Sequence, residues 1–271
     1  MKHERIYLND FDKRSFIDTY VADAGKGHPA MLVIPGGGYH NVCTDREGEP
    51  IALNFFSLGY NCFVLNYRCG TKEDVYPVQI TDAGSAMIYI KEHAEEFSID
   101  PDRVFVVGFS AGGHLAGSLA TMFDYPEVIE AFGEKSRMIR PAGAILSYPV
   151  TVARQNTHSN TFANLLGKPL SEYTDEDVKK FSIDTAVTEN TPPIFLWHTV
   201  EDEVVPIEGT LKTALALTAN KVPYKLSVYP YGPHGLALSN EITANGNQAY
   251  IQPLAEGWCE EADAFFKTLK I

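Results

Sequence analysis

The sequence predicts an α/β fold: a mostly parallel central sheet of about eight strands, with an antiparallel N-terminal edge and helices on both faces. Three observations carry this. Apolar runs of strand length alternate with segments of helical periodicity along most of the 271 residues. Central runs such as "AMLVIPG", "DRVFVVGFS" and "PIFLWHT" are almost continuously apolar, the mark of strands covered on both faces of a parallel sheet. The first two runs, "IYLN" and "SFIDTYVA", follow each other with no helix between them, so they pair as an antiparallel edge.

The elements follow in order. After the edge comes a strand over 30–36, bounded by Pro35 and Gly36. A helix over 49–59 has Pro50 in its first turn and Gly59 as its stop. A strand over 61–68 leads to a helix over 77–97, where Ile80, Ala83, Met87, Ile90 and Ala94 recur at helical spacing. The strand over 102–110 runs directly into a small-residue helix over 111–123. Strands over 143–149, 193–199 and 224–230, with helices over 208–221 and 253–269, complete the chain. The one long irregular stretch, 150–190, reads as a small cap-like insertion over the carboxyl ends of the strands, in a single domain spanning 1–271.

Composition narrows the function. Apolar content of 45% with 21% charged residues is that of an ordinary globular protein. A net charge of −13 disfavours nucleic acid and anionic membranes, both of which attract clustered Lys and Arg. No run approaches the length of a membrane span. The four cysteines form no C-x-x-C pair, so neither a disulfide framework nor a cysteine metal site is expected. The first residues, "MKHERIYLND", lack the apolar core of a signal peptide, and a cytoplasmic location is expected. No cofactor or metal is called for, and the composition is compatible with a homo-oligomer.

The chemistry centres on "GFSAGGH", residues 108–114. A G-x-S-x-G pattern arises by chance in roughly one chain in ten of this length, so its setting decides its meaning. Ser110 lies between an apolar strand and a small-residue helix, the strand–turn–helix setting of a nucleophile elbow. The alternative role is an ordinary helix N-cap. A nucleophilic serine needs a base. His234, in the Pro- and Gly-rich loop "YPYGPHGLAL" after the last strand, is placed at the same end of the sheet. His114 lies on the helix that the elbow opens and suits packing better, while His198 ends a strand and suits either the core or a place supporting the site. The base in turn needs an orienting acid, for which "FLWHTVEDEVVP" offers Glu201, Asp202 and Glu203. Chemistry alone does not choose among them. Donors for an oxyanion are offered by the amide of Ala111 and by "IPGGGYH", whose consecutive glycines let amides turn inward. That loop lacks the following G-K-[ST] of a phosphate cradle.

Taken in order, "PGGGY", "EGEPIA", "LNYR", "GFSAGGHLA", "TPPIFLWHTVEDEVVP" and "PHGLAL" resemble the α/β-hydrolase superfamily, over nearly the whole chain. More narrowly they resemble its esterase/lipase-like branch, which includes acetyl xylan esterases and related carbohydrate esterases. The resemblance implies an α/β-hydrolase fold and a triad of Ser110 as nucleophile, His234 as base and Asp202, of the "D-x-x-V-P" turn, as acid. It also implies Gly37, Gly38 and Ala111 as oxyanion donors through their backbone amides. In one respect the chain departs from lipase-like relatives: Pro35 stands where they carry a histidine before the glycines, which moves the resemblance toward carbohydrate deacetylases. The implied function is removal of short acyl groups, acetyl foremost, from a carbohydrate such as an acetylated xylo-oligosaccharide. Tyr39, Tyr148 and Phe162 are candidates to stack on sugar rings, whereas Trp197, within a strand, suits the core. Competing readings are an arylformamidase or small peptidase with the same triad, and a non-catalytic binding protein of this fold.

Overall fold

The computed structural model describes residues 1–153 and 159–269. Eight strands form one sheet: β1 (Arg5–Tyr7), β2 (Phe16–Tyr20), β3 (His28–Ile34), β4 (Asn61–Asn66), β5 (Ile99–Phe109), β6 (Ala144–Ser147), β7 (Ile194–Thr199) and β8 (Tyr224–Tyr229). Their order across the sheet is β1-β2-β4-β3-β5-β6-β7-β8. β1 and β2 pair antiparallel, β2 runs antiparallel to β4, and every later pairing is parallel. This is the α/β-hydrolase architecture expected from the sequence.

Ten helices accompany the strands among the described residues: α1 (Thr44–Glu47), α2 (Glu49–Ser57), α3 (Val78–Glu92), α4 (Ala111–Thr121), α5 (Pro126–Phe132), α6 (Ser159–Leu166), α7 (Asp175–Phe181), α8 (Ile183–Ala186), α9 (Glu208–Ala219) and α10 (Trp258–Lys267). The period-2 alternation of the central strands sorts their side chains into two cores. Ala30, Leu32 and Ile34 of β3, with Phe63 and Leu65 of β4, pack under α3, α4 and α9. Met31, Val33, Cys62 and Val64 point the other way, against Ile51 and Phe55 of α2 and Trp258 and Phe266 of α10. Burial on both faces explains why these strands are apolar throughout.

The topology positions the site. From β3 the chain moves to β4 on one side, and β5 then returns to the other side of β3. The loops after β3 and β5 therefore diverge at a switch point, where open α/β sheets form crevices at the carboxyl ends of their strands.

The sequence reading needs three corrections here. The stretch 150–190 is not irregular: its described residues contain α6, α7, α8 and a 3-10 turn at Leu170–Glu172, while 154–158 lie outside the described residues. The last helix begins at Trp258 rather than at 253, with Gly257 at its N-cap. α1 and α5 are short additional helices that the apolar pattern did not announce.

Candidate active site

Ser110 sits between β5 and α4 with φ 53° and ψ −117°, a backbone conformation that L-residues rarely adopt. The turn is that tight because its glycines allow it. A Cβ on Gly112 would overlap the Ile34 carbonyl and come within 2.5 Å of the Pro35 carbonyl oxygen. A Cβ on Gly108 would come within 2.8 Å of the Ala116 Cβ. The glycines let β5, α4 and the end of β3 close on one another, and the serine is left projecting from the apex. Its side chain makes no capping bond to α4, so the N-cap alternative does not describe it.

Two loops build a line that ends on that hydroxyl. His234, in the loop after β8, places Nε2 2.9 Å from Ser110 Oγ. His234 Nδ1 lies 2.7 Å from Asp202 Oδ2, in the loop after β7. Burial raises the pKa of Asp202, but hydrogen bonds from His198 and His234, the charge of His234 and the Val205 amide outweigh burial and hold it well below the ordinary value. An ionised Asp202 only accepts, so His234 Nδ1 carries a proton and donates. In the neutral ring Nε2 is then free to accept from the serine. Asp202 Oδ1 accepts from the amides of Val204 at 3.0 Å and Val205 at 2.8 Å, which fixes the carboxylate in the "D-x-x-V-P" turn.

His198 takes its place behind this line. It is fully buried, with Nε2 2.8 Å from the Val205 carbonyl and 3.2 Å from Asp202 Oδ2, and Nδ1 2.7 Å from Thr210 Oγ1. A carbonyl cannot donate, so Nε2 carries the proton, and it reaches both Val205 and Asp202. Glu201 points away and accepts from the Gly232 amide at 3.0 Å, leaving Asp202 as the acid that meets His234.

The glycine loop after β3 faces the serine across the switch point. Gly37 has φ 127° and Gly38 φ 62°, and a Cβ on Gly37 would run into the Asn41 backbone. The amides of Gly37, Gly38 and Ala111 make no hydrogen bond among the described residues, while the Gly38 carbonyl accepts from Asn164 Nδ2 of α6 at 2.8 Å. That bond pins the segment between β6 and β7 to the loop.

Together these groups border a cavity of about 550 Å³ at the carboxyl end of the sheet. Ser110, His234, Gly37 and Gly38 line it, and Asn41, Arg46, Asn160, Thr161 and Asn164 share the lining with Val204 and Tyr250. The Arg46 guanidinium lies 4.8 Å from the centre of the Tyr250 ring.

The aromatic candidates do not reach this cavity. Tyr39 and Tyr148 are 1% exposed and Phe162 is 3% exposed, and none lines its wall. Tyr39, at φ 57°, turns inward and its hydroxyl donates to His114 Nδ1 at 2.7 Å. His114 Nε2 in turn donates to the Phe181 carbonyl at 2.8 Å, and Phe162 packs edge-on against the same ring. Burial lowers the His114 pKa to about 4, so the ring stays neutral and serves as scaffold between α4 and α7. Tyr148 packs against His234 with ring centres 5.1 Å apart, and its hydroxyl binds Glu47. Sequence reasoning missed Glu47, Arg46 and Tyr250. Arg46 and Glu47 lie in a short charged stretch that reads as solvated and Tyr250 in a 3-10 turn, and nothing local announces their tertiary partners.

Comparison with known proteins shows the family. The BD-FAE family model matches residues 17–217. The chain belongs to the BD-FAE family. It is 40% identical over 223 residues to endo-1,4-beta-xylanase B of Butyrivibrio fibrisolvens, covering 80% of this chain and 34% of that protein. It is 30% identical over 212 residues to an acetylxylan esterase of Xylanibacter ruminicola, covering 76% of this chain and 40% of that protein. The chain thus spans well under half the length of these two curated relatives, and their names describe proteins much longer than the matched part. Among solved structures, an acetyl ester-xyloside bifunctional hydrolase from Caldicellulosiruptor lactoaceticus superposes with a TM-score of 0.83 at 31% identity, covering 98% of this chain and 96% of that one. Among the described residues, no helix of this BD-FAE chain is long and apolar enough to cross a membrane.

Proposed function

We propose that this BD-FAE protein is a serine carboxylic-ester hydrolase that removes short acyl groups, acetyl foremost, from a carbohydrate such as an acetylated xylo-oligosaccharide. The observation that carries the reading is the unbroken line from Ser110 Oγ to His234 Nε2 at 2.9 Å and from His234 Nδ1 to Asp202 at 2.7 Å. In this reading His234 takes the serine proton as Oγ attacks the acyl carbon, and Asp202 holds the ring tautomer and stabilises the imidazolium. The amides of Gly37, Gly38 and Ala111 receive the negative charge that develops on the carbonyl oxygen. One such donor is worth about 3 kcal/mol of barrier. His234 then gives that proton to the departing sugar oxygen, which leaves as a hydroxyl, and a water activated by the same ring hydrolyses the acyl-enzyme.

The cavity walls support a polar alcohol. Amide, hydroxyl and guanidinium groups of Asn41, Asn160, Thr161, Asn164 and Arg46 offer partners to sugar hydroxyls, beside the apolar surface of Val204 and the Tyr250 ring. The names of the relatives, a xylanase and an acetylxylan esterase, point to the same chemistry.

Acetate release from acetylated xylo-oligosaccharides tests this, compared in parallel with 4-nitrophenyl octanoate and with formyl and aminoacyl arylamides. Acetylated oligosaccharides are expected to give the highest kcat/KM. A higher kcat/KM on the amides would reassign the chain to arylformamidase or peptidase chemistry, and a higher value on octanoate would overturn the short-acyl preference.

A further inference from the structure

α1 contributes no atom to the Ser110–His234–Asp202 line, yet two consecutive residues of this helix touch the loops that carry the rest of the site. Glu47 is buried, and its Oε2 accepts from the Gly36 amide at 2.7 Å, at the root of the glycine loop. Its Oε1 accepts from the Tyr148 hydroxyl at 2.7 Å. The Tyr148 oxygen in turn accepts from the Ala237 amide at 3.0 Å, three residues beyond His234, and its ring packs against the His234 imidazole. Arg46 donates to the Gly235 carbonyl, one residue beyond His234. The histidine loop is thus held at 235 by α1 directly and at 237 through Tyr148, and the same helix holds the glycine loop at 36. Gly36 is itself wedged against the elbow: a Cβ there would come 3.1 Å from Ser110 Cβ and 2.9 Å from Glu47 Oε2.

We propose that Glu47 is a positioning residue of the hydrolytic site: its carboxylate sets the glycine loop and the histidine loop relative to Ser110 and places a negative charge behind His234. This rests on the ester-hydrolase reading above.

The hydrogen-bond pattern fits an ionised carboxylate, since each oxygen receives a proton from a donor and neither is needed to give one. Burial raises the carboxyl pKa above its ordinary value, and the Tyr148 hydroxyl, the Gly36 amide and the charges of His234 and Arg46 offset that only in part. The ionisable groups that face this corner include His234 and, beyond it, Asp202 from the loops after β8 and β7, Tyr148 after β6, Tyr67 after β4, and Arg46 and Cys43 on either side of α1's start. Glu47 binds the hydroxyl of Tyr148, whose ring packs against the imidazole, whereas Asp202 bonds Nδ1 directly. A negative charge there favours the imidazolium that forms as the serine attacks.

The test is steady-state kinetics on an acetyl ester across pH, for the wild type, Glu47→Gln, Glu47→Asp, Tyr148→Phe and Ser110→Ala. Glu47→Gln is expected to lower kcat by about 10- to 100-fold, the scale on which small displacements of catalytic groups act, with KM changed by less than about threefold. Loss of the negative charge disfavours protonation of its neighbours, so the acid limb of the kcat/KM profile moves to lower pH, and Glu47→Asp restores part of that shift. Tyr148→Phe leaves the charge but cuts the link to the histidine loop, so kcat falls while the acid limb stays in place. A Glu47→Gln protein with wild-type kcat and an unmoved acid limb overturns the proposal, whatever happens to its melting temperature. Should Glu47→Gln not fold, a wild-type kcat in Tyr148→Phe overturns it equally. Ser110→Ala separates the two levels of inference: if it keeps activity the ester-hydrolase reading itself fails, and if it alone loses activity only the role of Glu47 fails.

Discussion

Ser110→Ala is expected to lower kcat for acetyl-ester hydrolysis by about a millionfold, leaving the residual catalysis of a site that still binds substrate and offers oxyanion donors. The structural cost of the change is small. Ser110 makes no side-chain cap to α4, and among the described residues its hydroxyl meets His234 Nε2, which lies at the open cavity and can turn to water. Melting temperature and KM should therefore stay close to wild type while kcat collapses. The assay is turnover of 4-nitrophenyl acetate, with circular dichroism on the same preparation. A Ser110→Ala protein that hydrolyses the ester at wild-type rate would remove the serine from the mechanism.

The second large effect is expected at Asp202. Asp202→Asn preserves shape but presents an amide where His234 Nδ1 needs an acceptor, and a ring bonded to the wrong partner settles in the wrong tautomer. The loss in kcat on this logic is about 10⁴-fold. Two features of this protein modify the outcome. His198 also donates toward Asp202 Oδ2, so an asparagine there faces two N–H donors rather than one. The other oxygen accepts the Val204 and Val205 amides, which forces the asparagine carbonyl to that side and leaves its NH₂ against both imidazoles. Stability should fall together with kcat. The aspartate is held below the ordinary pKa range, so its contribution to stability is present above the unfolded aspartate pKa of about 4 and is lost only as pH falls through the lower folded value. Above pH 4, then, urea denaturation of the wild type should show no loss assignable to Asp202, while Asp202→Asn should be less stable throughout that range.

Much of the fold is legible in the sequence because burial on both faces demands it. Strands β3 to β7 have no solvent side, so Met31 and Val33 are as apolar as Leu32 and Ile34, and the runs stand out. α3 and α9 announce themselves by period, and the elbow by glycines whose absent Cβ atoms are spatially required at 108 and 112. The order of serine, acid and histidine along the chain follows from which loops end at the carboxyl side of the sheet.

What escaped the sequence lies in tertiary contacts. α7 carries a capping box, with Thr174 and Asp177 satisfying each other's backbone amides, and T-x-x-D is a signal that a closer reading of 150–190 would have caught. The inward turn of Tyr39 could not have been caught. Whether a tyrosine beside a glycine loop faces a cavity or a core depends on its φ of 57° and on His114, which is 75 residues away in sequence. Tyr148 and Phe162 were misplaced for the same reason: aromatic rings near a site in sequence are as useful beneath it as within it. Glu47 is the converse, a charged residue on a short helix whose partners at 36 and 148 only the folded chain assembles.

The most direct measurement is labelling of the folded protein with a fluorophosphonate, followed by peptide mapping by mass spectrometry. One equivalent of adduct on the peptide carrying Ser110, accumulating in step with loss of esterase activity and absent from Ser110→Ala, is the predicted result. An adduct on a different residue that tracks the loss of activity, or full esterase activity after Ser110 is labelled, would contradict the assignment of Ser110 as the nucleophile.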